Sequence, residues 1–434
     1  MPNALPISLR IYRKISELAA PFAPLLIKRR LKRHKEDAAR ADERRGITKL
    51  ARPAGPLVWI HGASVGEVLA AAALIERLRA SNIRVLLTSG TVTSAAIVSK
   101  RFPADVIHQY IPYDAPRFVK RFLDHWQPSL ALFIESDLWP NLILTAASRR
   151  LPMVLINGRM SPRSFNRWRK TSAPIRAMLE RFDICMAQSP GDAERFAALG
   201  SENVITTGNL KLDVAAPPAD PAKLEKLMAM TRGRRVIVAS STHPGEEELV
   251  LAAHQSLASS YPGLLTVIVP RHANRGDAIA RMTESAGVPV ALRSRGELPT
   301  ALTEIYVADT MGELGLFYRL APVVFMGGSL VPHGGQNPIE AIKLGAAIVH
   351  GPHVFNFTDI YEALDRADGA KLAETPDDLI RQLGQLLAHP AAQQASVDVS
   401  LDVVAELGGA LDRTLNALEP YLMQLRIEIE TANA

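Results

Sequence analysis

The stretch FMGGSLVPHGGQNPIEA, residues 325–341, constrains the possible folds of this chain more than any other segment. Its apolar start predicts a buried strand, and the pairs Gly327-Gly328 and Gly334-Gly335 predict tight turns in which the backbone can approach a ligand. Asn337-Pro338 predicts the start of a helix that contains Glu340, because proline fits the first helical turn. A glycine loop between strand and helix leaves N–H groups free for an anion such as phosphate. The stretch also fits a tight connection without a ligand, but the two glycine pairs with Asn-Pro-x-x-Glu favour a site.

From residue 57 onward, apolar strand patterns alternate with helical patterns, which indicates parallel sheets with helices on both faces. The predicted strands are 57–60, 84–88, 130–134, 153–156, 184–187 and 204–206, followed by 235–240, 264–270, 288–292, 303–308, 323–326 and 346–349. A break in the pattern at 214–220 predicts a linker. We therefore expect two Rossmann-like, doubly wound domains that face a cleft, one at 51–213 and the other at 221–434 with C-terminal helices, the last of which could cross back to the first domain. In such sheets, ligands bind at the carboxyl ends of the strands.

The composition, 47% hydrophobic and 22% charged over 434 residues, is typical of a globular chain with full cores. The single cysteine, Cys185, excludes a disulfide framework and a cysteine-based metal site. The histidines are scattered and form no His-Glu-x-x-His motif, so we expect no metal site and no cofactor. A P-loop motif is absent, and the first domain lacks Gly-x-Gly-x-x-Gly, which argues against a dehydrogenase.

The N-terminal segment 1–50 is basic and amphipathic. Residues 1–45 hold 12 Lys/Arg and 5 Asp/Glu, a net charge of +7 against +6 for the whole chain, so the remainder carries −1. This distribution argues against nucleic acid as the main partner. The longest uncharged run there, 18–27, is too short to cross a bilayer. An apolar segment followed by KRRLKRHK at 28–35 predicts peripheral attachment to a membrane surface through residues 1–35, although a solvated basic tail is the alternative.

Two carboxylates of the first domain directly follow predicted strands, Glu67 in HGASVGE and Glu135 in ESDLWP. A carboxylate that is partly buried at a strand end has a raised pKa and can act as a general base. Glu67 could instead be a helix-start residue in a capping box with Ser64, and Glu135 could be an acid bonded to loop amides. Lys211 in GNLKLD lies near the predicted domain boundary, where it could meet an anionic ligand.

Three loops of the second domain could converge on one nucleotide-sized site. Arg271 ends a predicted strand and is placed for bidentate recognition of phosphate or carboxylate. The segment 309–314 ends another strand and supplies helix-start amides. Asn337 and Glu340 belong to the glycine loop, where Glu340 could accept hydrogen bonds from a sugar diol.

The motifs are, in order, HGASVGE, YIPYD, ESDLWPNLI, NGRMSPRS, GNLKLD, STHPGEEE, VPRH, DTMGEL, GGSLVPHGGQNPIEA and GPHVFNF. In their order and over roughly residues 55–360 they resemble the 3-deoxy-D-manno-octulosonic acid (Kdo) transferase family of bacterial lipopolysaccharide synthesis. The resemblance implies an inverting GT-B glycosyltransferase that uses CMP-Kdo as donor, the tetra-acylated lipid A precursor as acceptor, and no metal for transfer. It also implies a peripheral enzyme on the cytoplasmic side of the inner membrane.

By the same resemblance, Glu67 is the general base, and Glu135 and Lys211 assist at the transition state. The positions that it assigns to CMP binding are Pro270, Arg271, Met311, Gly312, Glu313, Asn337, Pro338, Ile339 and Glu340. One departure is Ser136-Asp137, where the family usually has Thr-Glu. The open alternatives are another two-Rossmann nucleotide-sugar enzyme, such as a hexosamine transferase or an epimerase, and a non-catalytic membrane-surface protein.

Overall fold

The computed structural model describes residues 5–33, 35–213 and 216–433, and the chain divides into two compact units. The first unit contains the described residues up to Asp213 together with those from Gly408 onward, and the second ends at Leu407. Each unit is built on one seven-stranded sheet in which all neighbouring strands run parallel. Residues 214 and 215 of the predicted linker lie outside the described residues.

The first sheet has the strand order β3-β2-β1-β4-β5-β6-β7, so the order reverses between β1 and β4. Its strands are β1 (Leu57–His61), β2 (Arg84–Ser89), β3 (Ile107–Tyr110), β4 (Leu130–Ile134), β5 (Met153–Gly158), β6 (Ile184–Ala187) and β7 (Val204–Thr206). The central strands are fully buried apolar runs, as expected for a parallel sheet covered on both faces.

The second sheet has the order β10-β11-β9-β8-β12-β13-β14 and reverses between β8 and β12. Its strands are β8 (Val236–Thr242), β9 (Leu265–Pro270), β10 (Val290–Leu292), β11 (Ile305–Val307), β12 (Val323–Met326), β13 (Ala347–His350) and β14 (Ala370–Leu372). The two-domain Rossmann-like architecture predicted from the sequence is confirmed. The prediction missed β3, whose sequence IHQY is half polar, and β14, which has only three residues and lies at the sheet edge.

Helices cover both sheets. Those of the first unit are α1 (Ile7–Ala19), α2 (Ala23–Leu31), α3 (Val65–Ala70), α4 (Ala72–Ala80), α5 (Val92–Arg101), α6 (Pro116–Trp126), α7 (Pro140–Ser148), α8 (Pro162–Arg169), α9 (Ser172–Leu179) and α10 (Pro190–Ala198). Those of the second are α11 (Pro221–Thr231), α12 (Glu246–Ala258), α13 (Gly276–Ser285), α14 (Leu314–Leu320), α15 (Ile339–Ile342), α16 (Thr358–Arg366), α17 (Pro376–Ala388) and α18 (Pro390–Leu407). The last helix, α19 (Ala410–Asn433), belongs to the first unit.

The return of α19 to the first sheet differs from the predicted domain bounds, which placed the C-terminal helices with the second domain, and agrees with the alternative that the last helix crosses back. Leu418, Leu422 and Leu425 lie on one face of α19 and are buried in the core of the first unit. The Asp213 carboxylate accepts hydrogen bonds from Gly409 N (2.8 Å) and Leu411 N (2.5 Å) at the start of the helix. The apolar face of α19 is therefore buried against the first sheet.

The N-terminal helices are also part of the first unit rather than a separate tail. Tyr12 on α1 donates to Asp114 Oδ2 (3.0 Å), and the buried Glu36 carboxylate accepts from Arg30 (2.6 Å) and Arg44 (3.0 Å). Residues 1–4 and His34 of the predicted membrane segment lie outside the described residues. Among the helices of the described ranges, none combines the length and apolar character that a membrane crossing requires.

We predict that Leu422→Ala destabilises the first unit by about 2–5 kcal/mol, because it leaves a cavity in the core. The neighbouring Met423 is 56% exposed, so Met423→Ala serves as the control and should change stability by less than about 0.5 kcal/mol. Thermal unfolding of both variants measures the difference. Equal melting temperatures would contradict the placement of α19.

Candidate active site

Glu67 lies at the carboxyl edge of the first sheet, in the first turn of α3, directly after β1. Its carboxylate accepts hydrogen bonds from Ala63 N (2.7 Å) and Ser64 Oγ (2.8 Å). Partial burial raises the pKa of Glu67 above its ordinary value, the two hydrogen bonds lower it, and the nearby carboxylates of Glu135 and Asp137 raise it again. Because the net shift is upward, the side chain is more basic than a free glutamate. Ser64 does cap α3, so the structural role considered for Glu67 coexists with this basicity.

Glu135 directly follows β4 and forms an ion pair with Lys211, whose Nζ lies 2.5 Å from Glu135 Oε1. Glu135 has a φ of 61°, and Asn157 at the end of β5 has a φ of 53°. Such left-handed backbone is costly for residues other than glycine and is often found at functional sites. Asn157 Oδ1 accepts from Leu210 N (2.9 Å), which fixes the 3₁₀ turn Leu210–Leu212 that carries Lys211.

Lys211 also lies near the first turn of α3, which carries Glu67. Its Nζ lies 4.0 Å from the position that a Cβ atom on Gly66 would occupy. The structure therefore brings together the three residues that the sequence analysis predicted to be catalytic: a basic carboxylate and, beside it, a lysine–glutamate pair.

Asp137 and His61 also line this edge, and the sequence analysis gave neither a role. Asp137 Oδ2 accepts from Trp139 Nε1 (2.9 Å) and lies 3.3 Å from His61 Nε2. Burial raises the pKa of Asp137, but the bonds to His61 and Trp139 outweigh burial and bring it below the ordinary value. His61 contacts Thr88 Oγ1 through Nδ1 (3.0 Å). His61 is the first residue of HGASVGE and directly follows the apolar run 57–60. This position at the end of a strand could have marked it as a candidate site residue.

The glycine loop after β12 differs from the prediction in one important respect. Glu246, which is completely buried, accepts hydrogen bonds from Gly328 N (2.7 Å), Ser329 N (3.0 Å) and Leu330 N (3.0 Å), and also from His243 N (2.9 Å). The amides expected to be free for a phosphate are thus occupied by a carboxylate of the protein itself. The prediction was wrong on this point because a motif does not show which anion fills the loop.

Histidines surround the same loop. The rings of His243 and His333 stack with centroids 4.2 Å apart, and His272 lies 6.1 Å from His243. Burial, the other two histidines and the cations Arg271 and Arg275 lower the pKa of His243 to about 4. Arg271 follows β9, directly after Pro270, and its exposed guanidinium makes no side-chain hydrogen bond within the described ranges. This cluster presents positive charge and N–H donors that suit an anion.

Glu313 is not available to a ligand through its carboxylate. Arg293 binds both carboxylate oxygens (2.5 and 2.9 Å), Lys223 binds one (2.8 Å), and Thr310 donates as well. The hydrogen bonds from Arg293 hold the pKa of Glu313 far below its usual range. The Glu313 carboxylate therefore holds the loop of Met311 and Gly312 in place.

Next to this loop lies a cavity of about 540 Å³. Its walls include the apolar side chains of Leu227, Leu298 and Met311 and the cation of Lys226. Met311 is 73% exposed, and Gly312 has a φ of 81°. The predicted residues 311–313 thus border a space that is large enough for a small ligand.

The segment Asn337–Glu340 forms the start of the short helix α15. Asn337 Oδ1 accepts from Ile339 N (3.1 Å), while Pro338 and Ile339 are buried and shape the backbone. Burial raises the pKa of Glu340. The described residues contain no group of histidine, cysteine or carboxylate side chains arranged to hold a metal ion.

The comparisons with known proteins agree on one family. Residues 39–214 match the family model described as 3-deoxy-D-manno-octulosonic-acid transferase (kdotransferase). The Kdo transferase of Haemophilus influenzae is 36% identical over 371 residues, covering 84% of this chain and 87% of that protein. The Kdo transferase of Bordetella pertussis is 35% identical over 384 residues, covering 86% and 90%. This chain belongs to the Kdo transferase family. The Kdo transferase described here is thus an enzyme and a glycosyltransferase.

Solved structures support the fold of this Kdo transferase. A glycosyltransferase from Rickettsia africae aligns with a TM-score of 0.57 at 10% identity, covering 85% of this chain and 99% of the other. A UDP-GlcNAc 2-epimerase from Neisseria meningitidis gives a TM-score of 0.55 at 15% identity, covering 84% and 100%. At this identity the likeness concerns the fold alone, which is of the GT-B type with two Rossmann-like domains.

We predict that Glu246→Gln releases the glycine loop, because the NH₂ group that replaces one carboxylate oxygen cannot accept from the two backbone N–H groups bonded to that oxygen. Leaving buried donors unsatisfied costs about 1–3 kcal/mol, so the amides of residues 328–330 should exchange hydrogen at least about fivefold faster. Hydrogen–deuterium exchange with mass spectrometry measures this. Glu248→Gln, at an exposed position of the same helix, is the control. Unchanged protection in Glu246→Gln would contradict this role.

Proposed function

We propose that this Kdo transferase moves Kdo from CMP-Kdo to the tetra-acylated lipid A precursor, with inversion at the anomeric carbon and with Glu67 as general base. The observation that carries the proposal is the raised pKa of the Glu67 carboxylate at the carboxyl edge of the first sheet, beside the Glu135–Lys211 pair. A base whose pKa is closer to the working pH removes a proton more effectively.

In this mechanism, Glu67 accepts the proton of the acceptor hydroxyl as the oxygen attacks the anomeric carbon of Kdo. The new carbon–oxygen bond forms on the face opposite the phosphate, and the bond from that carbon to the phosphate oxygen breaks, releasing CMP. Ala63 N and Ser64 Oγ hold the two carboxylate oxygens of Glu67 in place. Lys211, oriented by Glu135, stabilises negative charge that develops during transfer.

The donor would bind to the second unit. Arg271 and the histidines around His243 would meet the phosphate, and the carboxylate of Glu340 would accept from the ribose hydroxyls. Residues 311–313 and 337–339 would contact CMP largely through their backbone, because the carboxylate of Glu313 is already bound by Arg293 and Lys223. No metal takes part in this proposal, since the cations of the protein balance the charge of the departing phosphate.

A membrane surface is the proposed location of the enzyme, on the cytoplasmic side of the inner membrane. Large apolar side chains on α1, on the 3₁₀ turn Ala20–Phe22 and on α2 are 47–76% exposed, most of them three or four residues apart, and we call them the apolar N-terminal face. Its members are Ile7, Ile11, Ile15, Leu18, Phe22, Leu25 and Leu26. Exposed cations such as Arg13, Lys28 and Arg29 flank it. An amphipathic helix with flanking cations suits the interface of an anionic bilayer.

We predict that Glu67→Gln lowers the turnover number at least about 100-fold, because the amide cannot accept the proton. CMP affinity should not change, since Glu67 belongs to the other unit. A coupled assay of CMP release and calorimetry with CMP measure the two quantities. Glu76→Gln, at an exposed position on α4, is the control.

The pH dependence gives a second readout for Glu67. Only the carboxylate form accepts a proton, so activity should fall as the pH decreases through the pKa of Glu67. Because that pKa lies above the ordinary 4.5, the acidic limb of the wild-type profile should lie above pH 4.5. Normal turnover in Glu67→Gln would refute the assignment.

We predict that the double variant Leu18→Ser, Phe22→Ser lowers binding to anionic phospholipid vesicles at least about tenfold, because each large side chain loses apolar burial in the bilayer. The two side chains are 76% and 65% exposed, so the fold should not suffer. Vesicle sedimentation measures binding, and added salt should weaken wild-type binding. The control is Leu302→Ser, which removes an 80% exposed leucine from the second unit. Equal partitioning of variant and wild type would argue against this face.

A further inference from the structure

A strongly basic surface lies outside the residues discussed so far. Residues 138–179 contain eight Lys/Arg and no Asp/Glu, although the chain as a whole carries only +6. Five of these cations lie on α8 or next to its ends and are exposed, and we call them the α8 cationic patch. They are Arg159, Arg163, Arg167, Arg169 and Lys170.

The cations of the patch have no partners of opposite charge. Within the described residues, none of the five forms an ion pair or a side-chain hydrogen bond, and only Arg167 and Arg169 rest near aromatic rings, both at 5.9 Å. Several other surface arginines of the first unit are paired, for example Arg101 with Glu76 and Arg117 with Glu17. Like charges four residues apart destabilise a helix, so this arrangement calls for an external anion.

The patch begins at the edge of the sheet that carries Glu67, Glu135 and Lys211. It follows β5, which ends at Gly158, and the preceding Asn157 fixes the turn that carries Lys211. Glu135 N donates to Ile156 O (3.0 Å), which shows that the ends of β4 and β5 are side by side. Arg163, Arg167 and Lys170 then share one face of α8, which extends about 12 Å from this edge.

The patch lacks the apolar side chains that insertion into a bilayer requires. No large hydrophobic residue between 159 and 170 is exposed, since Phe165 and Trp168 pack against the core. The apolar N-terminal face on α1 and α2 has the opposite character. The side chains of α8 therefore suit the binding of anionic groups that lie outside the hydrocarbon region of a bilayer.

We propose that the α8 cationic patch binds phosphate groups carried by the amphiphilic acceptor, and so holds the acceptor beside the edge that carries Glu67. This inference rests on the proposed function of the first unit. Guanidinium groups bind phosphate oxygens in a bidentate manner, and three cations in a row along one helix face match a ligand that carries separated negative charges.

The test compares two triple variants. The patch variant carries Arg163→Gln, Arg167→Gln and Lys170→Gln. The control variant carries Lys49→Gln, Arg84→Gln and Lys100→Gln, which remove three exposed cations elsewhere in the first unit that form no ion pair within the described residues. The acceptor is used in detergent, once with its phosphates and once after enzymatic dephosphorylation. With the phosphorylated acceptor, the patch variant should show an acceptor KM raised about tenfold, with kcat and donor KM unchanged. The effect should shrink at high salt. With the dephosphorylated acceptor, patch variant and wild type should be alike.

Binding of both acceptor forms is also measured without turnover, in the Glu67→Gln background with and without the patch substitutions. The acceptor could bind in a phosphate-dependent manner that the patch substitutions abolish, while the wild-type enzyme transfers no Kdo to it. In that case the proposed reaction fails and the patch proposal stands. Equal effects on the two acceptor forms would overturn the patch proposal. An unchanged acceptor KM together with weaker binding to anionic vesicles would also overturn it, because the patch would then serve bilayer lipids.

Discussion

The parallel direction of every strand is the constraint on which the rest of this structure depends. It places the carboxyl ends of all strands in a sheet at one edge. The strand order reverses between β1 and β4 in the first sheet and between β8 and β12 in the second, and at each reversal the loops that follow the two strands diverge. Glu67 and Glu135 follow β1 and β4. The His243 loop and the glycine loop follow β8 and β12. Chemistry-bearing residues that are distant in sequence thus meet at these two reversal points.

Buried and partly buried carboxylates at these edges have different tasks because their partners differ. Glu246 accepts four backbone N–H groups and is a fixed structural anion, and Glu313 is neutralised by Arg293 and Lys223. Glu67 is partly buried and lies near two other carboxylates, and both effects favour its protonated form relative to a free glutamate. Of the three, only Glu67 therefore combines a raised pKa with a position suited to a proton acceptor.

The sequence pattern predicted most strands and the residues that follow them, because apolar runs in parallel sheets are long and strand ends are clear. It did not reveal that Glu246 fills the glycine loop, since a motif identifies donors but not the anion that they bind. It allowed for the return of α19 but did not decide it, because the return depends on which apolar surface buries the leucines of that helix. The net charge of the chain did not reveal the cations of α8, because carboxylates elsewhere in the chain offset them. The reaction and its substrates came from family resemblance, not from periodicity or spacing.

The most direct test of this account is the product itself. Purified enzyme is given CMP-Kdo, made before chelator is added, together with the tetra-acylated lipid A precursor, and the product is examined by mass spectrometry and NMR. The account predicts a mass gain of one or more Kdo residues, an anomeric configuration opposite to that in CMP-Kdo, and no effect of the chelator. Retained configuration, or release of CMP without a gain in acceptor mass, would contradict it.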